Sequence, residues 1–290
     1  MEKPAISKSR SQQASKVDKP TSNVHEHAET GRSFWPFKPL SGLYQDVFII
    51  LSWIAIWQIG RIVEYTEHAS VWFPAAGYTL ACFLVLGWRA VVPIMVAAMA
   101  ITVWNGHNYS LPLSNVEMMW GGVLFGVAHM LPYYAGASVL GHLLRKPDVT
   151  TPQLIVSFLI IGCISSLVAT QLVIGSLVLT NQMSAADIKE AMLPFWIGDM
   201  AGVVVLAPLF AGLLVKICAA SKIDLLAFSN CASSDLHSYF KKVAINLALI
   251  LFVMLLAKLT QSRDSAFAIF FLAITHMWIA CTESTKRNVI

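Results

Sequence analysis

The stretch Pro194-Phe195-Trp196-Ile197-Gly198-Asp199-Met200-Ala201-Gly202 decides how this chain is read. It lies within an apolar run, Ala191 to Ile217, whose only formal charges are Asp199 and the terminal Lys216. A run of that length can cross the ~30 Å hydrocarbon core of a bilayer. A carboxylate at that depth costs about 3 kcal/mol even on lenient insertion scales, so something must compensate for it. The available answers are a polar partner on a neighbouring helix, a water-filled cavity or a bound cation. Gly198 and Gly202 stand four residues apart, one helical turn. Small residues at that spacing let a second helix approach closely, which places the Asp199 face in protein rather than in lipid.

Composition extends this reading to the whole chain. Hydrophobic residues make up 57% of the 290 residues and charged ones 12%, against about 25% charged in soluble domains. Mean hydropathy is +0.65. Apolar runs predict about eight transmembrane helices: Leu43 to Ile62, Ser70 to Gly87, Ala90 to Trp104, Glu117 to Leu144, Leu154 to Leu179, Ala191 to Ile217, Val243 to Gln261, and Ala266 to Cys281. The expected fold is therefore all-α, a polytopic membrane helical bundle.

The twenty Lys and Arg residues orient it. If the N-terminus is inside, sixteen of them are cytoplasmic and only Arg61, Lys189, Lys258 and Arg263 face the other side. The positive-inside rule then predicts both ends in the cytoplasm. The net charge of +4 is a topology signal, and no nucleic-acid partner is expected.

Residues 1–42 read as a disordered cytoplasmic tail, because the first 33 are too poor in large apolar side chains to bury a core. Trp35-Pro36-Phe37-Lys38-Pro39-Leu40 at its end reads as an interfacial anchor, and no secretory signal is expected. His25-Glu26-His27 in that tail reads as solvated charge, since nothing holds a ligand geometry there. Cys82 and Cys163 fall within helices, and Cys218, Cys231 and Cys281 on the cytoplasmic side, so no disulfide is expected. There is no C-x-x-C, H-E-x-x-H or G-x-S-x-G and no phosphate-cradling glycine loop. The usual signatures of enzymatic chemistry are absent, and no metal or cofactor is expected.

His129 and His276 both fall near mid-membrane, about 18 Å and about 15 Å into their spans. A bis-histidine haem or metal site is one reading; hydrogen-bonded helix glue is the commoner one, and it applies more strongly to Gln171 and Asn246. His142, near Arg145-Lys146, reads as an interfacial residue. The second and sixth spans enter from the same side and open alike, with Trp72-Phe73-Pro74-Ala75-Ala76-Gly77 and Pro194-Phe195-Trp196-Ile197-Gly198. That parallel hints at two four-helix halves whose openings meet in one outward-facing pocket.

Trp72-Phe73-Pro74-Ala75-Ala76-Gly77, Gly87-Trp88-Arg89-Ala90, and Trp196-Ile197-Gly198-Asp199-Met200-Ala201-Gly202 with Ala207-Pro208-Leu209 together resemble the bacterial membrane-associated sensor domain, type one. The resemblance covers Leu43 to about Ala280. It implies an all-helical input module of the kind that precedes histidine-kinase, diguanylate-cyclase or phosphodiesterase output domains in the bacterial cytoplasmic membrane. The last segment departs from the family, which usually reads Trp-x-Ala-x-Arg-x-Gly there. Here Trp278-Ile279-Ala280 is followed by Cys281-Thr282-Glu283.

The expected organisation is a transmembrane sensory domain over residues 43–281, then a short cytoplasmic tail, 282–290, with no output domain. On that reading the chain is a truncated sensor or acts alone through a kinase or cyclase partner, with a homodimer as one option. Trp72, Pro74, Asn105, Trp196 and Asp199 are the expected pocket for a small ligand or a membrane protein partner. Asn105 ends the third span at the same level, and Asp199 would meet a cationic or hydroxylated group. The alternative is a small secondary transporter using Asp199 as a cation or proton site. An intramembrane enzyme ranks third, because no nucleophile and base pair is evident. Below Asp199 the chain runs Val203-Val204-Val205-Leu206-Ala207-Pro208-Leu209-Phe210, with no polar side chain to continue a transport path.

Overall fold

The structure, a computed structural model, describes residues 40–218 apart from 62–63, 67–68, 71 and 147, together with Ala248. Its elements are α1 (Leu43–Arg61), a small antiparallel ribbon of β1 (Glu64–Thr66) and β2 (Ala69–Ser70), α2 (Pro74–Leu86), α3 (Val91–Asn108), α4 (Asn115–Leu144), α5 (Thr151–Leu179) and α6 (Ile188–Ile217). These helices correspond to the first six expected spans. The last two, Val243 to Gln261 and Ala266 to Cys281, lie outside the described residues, as do the N-terminal tail, Asn246 and His276.

Helix boundaries follow local chemistry. Ser114 and Glu117 form a capping box at the start of α4: the Ser114 N–H donates to Glu117 Oε2 at 2.8 Å and the Glu117 N–H donates to Ser114 Oγ at 3.3 Å. At α5 the Thr150 N–H donates to Gln153 Oε1 at 3.0 Å. Pro74 sits in the first turn of α2, where its missing N–H costs nothing. α2 ends at Gly87, whose φ of +62° is a left-handed conformation that favours glycine.

Gly87 also reverses the chain. Thr79 and Phe83 of α2 meet His129 and Tyr134 of α4 in ascending order, so the two helices are parallel. Met95 and Met99 of α3 meet Gly126 and Gly122 in descending order, so α3 is antiparallel to α4. The 35-residue apolar stretch Pro74–Asn108 is thus two antiparallel helices, both packed on α1 and α4. By length and composition there are five stretches able to cross a membrane: Leu43–Arg61, Pro74–Asn108, Asn115–Leu144, Pro152–Leu179 and Ala185–Val215. With the fold-back at Gly87 they account for six helices.

Burial ranks the helices. Every residue of α2 except Leu84 is buried, and a helix that is apolar all round belongs at the centre of a bundle. α2 packs against α1, α4 and α6; α3 covers α1 and α4, and α5 covers α4 and α6. The surrounding helices turn large apolar side chains outward, among them Leu51, Leu131, Ile155, Ile160 and Ile164. Such a surface is stable only where lipid replaces water. Gln171 of α5 is exposed as well.

Candidate functional site

α2 and α6 approach each other through glycine. A Cβ on Gly198 would strike the Ser70 carbonyl, and one on Gly202 would strike the Phe73 carbonyl. Gly77 of α2 faces the Gly202 carbonyl in return. The Phe73 N–H donates to the Gly198 carbonyl at 3.0 Å. Tyr78 meets Phe210 edge-on at 5.1 Å between ring centroids, so α2 and α6 run parallel. The two similar openings do meet, and they meet backbone to backbone. The spacing of Gly198 and Gly202 therefore acts as small-x-x-x-small pairs do in membranes.

Directly behind this seam lies Asp199, 2% exposed. Tyr133 of α4 donates its hydroxyl to Asp199 Oδ2 at 2.6 Å. Of the three ways to compensate a carboxylate at this depth, the described residues supply the polar partner on a neighbouring helix. One hydrogen bond to a charged group contributes about 1.5–3 kcal/mol, the same scale as the insertion cost.

Tyr133 is four residues beyond His129 on the same face of α4, with ring centroids 5.1 Å apart. His129 Nε2 lies 3.1 Å from Thr79 Oγ1, and Trp53 Nε1 donates to that same oxygen at 2.9 Å. An indole can only donate, so the Thr79 oxygen accepts from Trp53 and its own proton is available to His129. Phe125 stacks on the imidazole at 5.8 Å, with Phe73 and Trp53 edge-on at 5.9 and 6.1 Å. One residue before Trp53, Ser52 Oγ lies 2.6 Å from the Tyr78 hydroxyl. Side chains of α1, α2, α4 and α6 are thereby joined through the buried centre. Within the described residues His129 has the interhelical hydrogen bond that the helix-glue reading expects, while His276, its partner in the other reading, lies outside them.

The five residues expected to line a pocket are distributed as follows. Trp72 and Pro74, both buried, sit at the entrance of α2 against Gly198 and Gly202, while the Asp199 carboxylate faces Tyr133 of α4. Trp196 turns toward α5, its Nε1 donating to the Cys163 carbonyl at 3.4 Å. Asn105 is buried near the end of α3, and its Oδ1 has no hydrogen-bond partner. Tyr133, Thr79 and Trp53 are additions that sequence reading missed. The signal for Tyr133 was present: it is one turn from His129, at a spacing that shares a face.

At the other end of α3 from Gly87, Arg61 closes α1 beside Asn108 and Tyr109. With its amide oxygen turned to face them, Asn108 accepts from Arg61 Nη1 at 2.9 Å and from Trp104 Nε1 at 3.1 Å. The guanidinium carbon lies 5.6 Å from the centre of the Tyr109 ring, a cation–π distance. Among the described residues no three His, Cys, Asp or Glu side chains gather where they could hold a metal.

The family model of the membrane-associated sensor domain 1 (MASE1) matches residues 46–285. Neither a curated protein nor a solved structure matches the chain.

Proposed function

Because the chain belongs to the membrane-associated sensor domain 1 family, a family of multi-pass sensory input domains of the bacterial cytoplasmic membrane, we propose that it detects a small ligand or membrane partner at an outward-facing site and transmits the event to a cytoplasmic kinase or cyclase output. The proposed topology has both ends inside, with the Arg61 end of the bundle outside. The observation that carries the reading is the buried Tyr133–Asp199 hydrogen bond behind the α2–α6 seam. It ties α4 to α6, while Trp53, Thr79 and His129 tie α1 and α2 to the same face of α4.

A bundle joined this way responds as a unit. If a ligand at the entrance of α2 and α6, near Trp72, Pro74, Trp196 and Asp199, shifts α6 against α4, the Tyr133–Asp199 pair must stretch or break. A discrete hydrogen bond has two states, made and unmade, which is what a switch requires. The helix beyond Asp199, Val203 to Phe210, has no polar side chain, which supports a closed receptor over the transporter alternative.

Reporter fusions after Asn105 and after Lys222 are expected to read outside and inside. In a thermal-shift screen of the purified protein, ligands that raise Tm should lose about tenfold or more in affinity in Asp199→Asn, the equivalent of one hydrogen bond to a charged group, while membrane insertion is unchanged. Asp199-dependent accumulation of a solute against its gradient in proteoliposomes would overturn the sensor reading.

A further inference from the structure

Five buried side-chain polar atoms among the described residues lack a hydrogen-bond partner, and four of them belong to α1 and α3, which pack together: Trp57 Nε1, Gln58 Nε2, Arg61 Nε and Asn105 Oδ1. Buried polar groups are almost always paired, so a cluster of exceptions needs a cause.

Their helices put them side by side. α1 and α3 pack together and run to the same end of the bundle, where Arg61 meets Asn108 and Tyr109. One turn back from Arg61 along α1 come Gln58 and Trp57; one turn back from Asn108 and Tyr109 along α3 comes Asn105. Arg61 Nη1 reaches Gln58 Oε1 at 3.4 Å, which leaves the Gln58 NH2 to point elsewhere. The Trp57 ring is fixed by Trp53, Phe73 and Phe125, with centroids 5.2, 4.6 and 5.4 Å away, so its N–H is aimed by packing rather than by a partner. Asn105 is 7% exposed. An amide turned by half a turn presents NH2 in place of oxygen, so all four side chains are able to donate.

Three N–H donors, one of them on a guanidinium, and an adaptable amide describe a receptor for an acceptor-only, negatively charged group. Arg presents its donors in a planar fork that matches a carboxylate or phosphate. We infer that Trp57, Gln58, Arg61 and Asn105, between α1 and α3, bind an oxyanion, a carboxylate or phosphate supplied either by a lipid headgroup or by a soluble solute. The assignment adds a second site to the one proposed above near Asp199, and it rests on the sensory reading only for what binding would signal.

Binding is measured on the full-length protein with inorganic phosphate and with succinate as soluble probes, following the Trp57 environment by tryptophan fluorescence and the heat by calorimetry. The lipid arm compares nanodiscs of phosphatidylcholine alone with nanodiscs that also contain phosphatidylglycerol, reading lipid retained by mass spectrometry. Saturable binding of a soluble probe identifies a solute site; selective retention of phosphatidylglycerol identifies a headgroup site. Either is expected to weaken about tenfold or more in Arg61→Gln, the loss of one charge-assisted hydrogen bond, and less in Arg61→Lys, which keeps the charge without the fork. Trp57→Phe keeps the aromatic packing and removes one donor, and should weaken binding without lowering Tm, so a folding defect cannot mimic the result. If neither probe nor lipid binds the wild type, or if binding is the same in Arg61→Gln, the inference is wrong. Because no signalling output is read, that failure would leave the sensory role of the Asp199 region standing.

Discussion

The α2–α6 seam, which is buried, and the Arg61 end of the bundle, which is half-buried, are both polar and close to one another through Gly60 and Pro74, yet they are built on opposite terms. At the seam every approach is completed by protein: Gly198 and Gly202 lie against carbonyls, Phe73 donates to Gly198, and Asp199 receives the Tyr133 hydroxyl. At the Arg61 end three donors within one turn of α1 and an amide oxygen in the last turn of α3 are left without partners. In a low-dielectric interior a completed polar group rigidifies and an incomplete one is costly. The first region is therefore suited to hold and transmit a geometry, and the second to receive something that completes it.

The sharpest way to break the comparison is at Gly198. Gly198→Leu forces a side chain into the Ser70 carbonyl and should destabilise by about 3 kcal/mol, visible as loss of the folded peak in detergent size-exclusion and a collapse of Tm. Gly212→Ala is the matched control, because nothing lies within 4 Å of a Cβ there; a helical Gly→Ala change in open space should be neutral or stabilise by about 0.5–1 kcal/mol. Equal damage from both would mean that the close approach of α2 and α6 is not what holds the seam.

A smaller effect is expected one layer in. Tyr133→Phe removes the hydroxyl and leaves the Asp199 carboxyl without its donor, at about 1.5–3 kcal/mol. Combining it with Asp199→Asn should cost less than the two single changes together, because they remove the same interaction. Additive losses in thermal or denaturant unfolding would show that the two side chains are not coupled.

The smallest stability change belongs to the Arg61 end. Arg61→Gln should move stability by no more than about 0.5 kcal/mol, since the guanidinium there is engaged by Asn108 and Tyr109 at the margin of the bundle rather than by a buried carboxylate among the described residues. A large drop in Tm would assign Arg61 to the structural core and erase the contrast between the two regions.

Much of this was legible without coordinates. A lone Asp199 in a run of that length, 57% hydrophobic residues and the basic asymmetry were enough for an all-helical membrane protein with an inward-facing carboxylate. Hydrophobicity is a sum over consecutive residues, and a bilayer accepts only helices or closed barrels. Glycine spacing likewise announced a close helix contact, because backbone approach depends on which residues lack a side chain. The fold-back at Gly87 was also approachable, since the apolar stretch Pro74–Asn108 is too long for one span.

Partners were another matter. Nothing in the spacing of Tyr133 and Asp199, 66 residues apart, says that one hydroxyl will reach one carboxylate. The five residues expected to line a single pocket illustrate the same gap: Trp72 and Pro74 lie against Gly198 and Gly202, Asp199 turns to Tyr133, Trp196 turns to α5, and Asn105 stands near the end of α3. The amino-acid sequence determined the solvent, the helices and the residues that could not be left exposed. Which of those residues meet, and which polar atoms among the described residues stay unpaired, depends on the rotation and crossing of packed helices, and that only the tertiary structure decided.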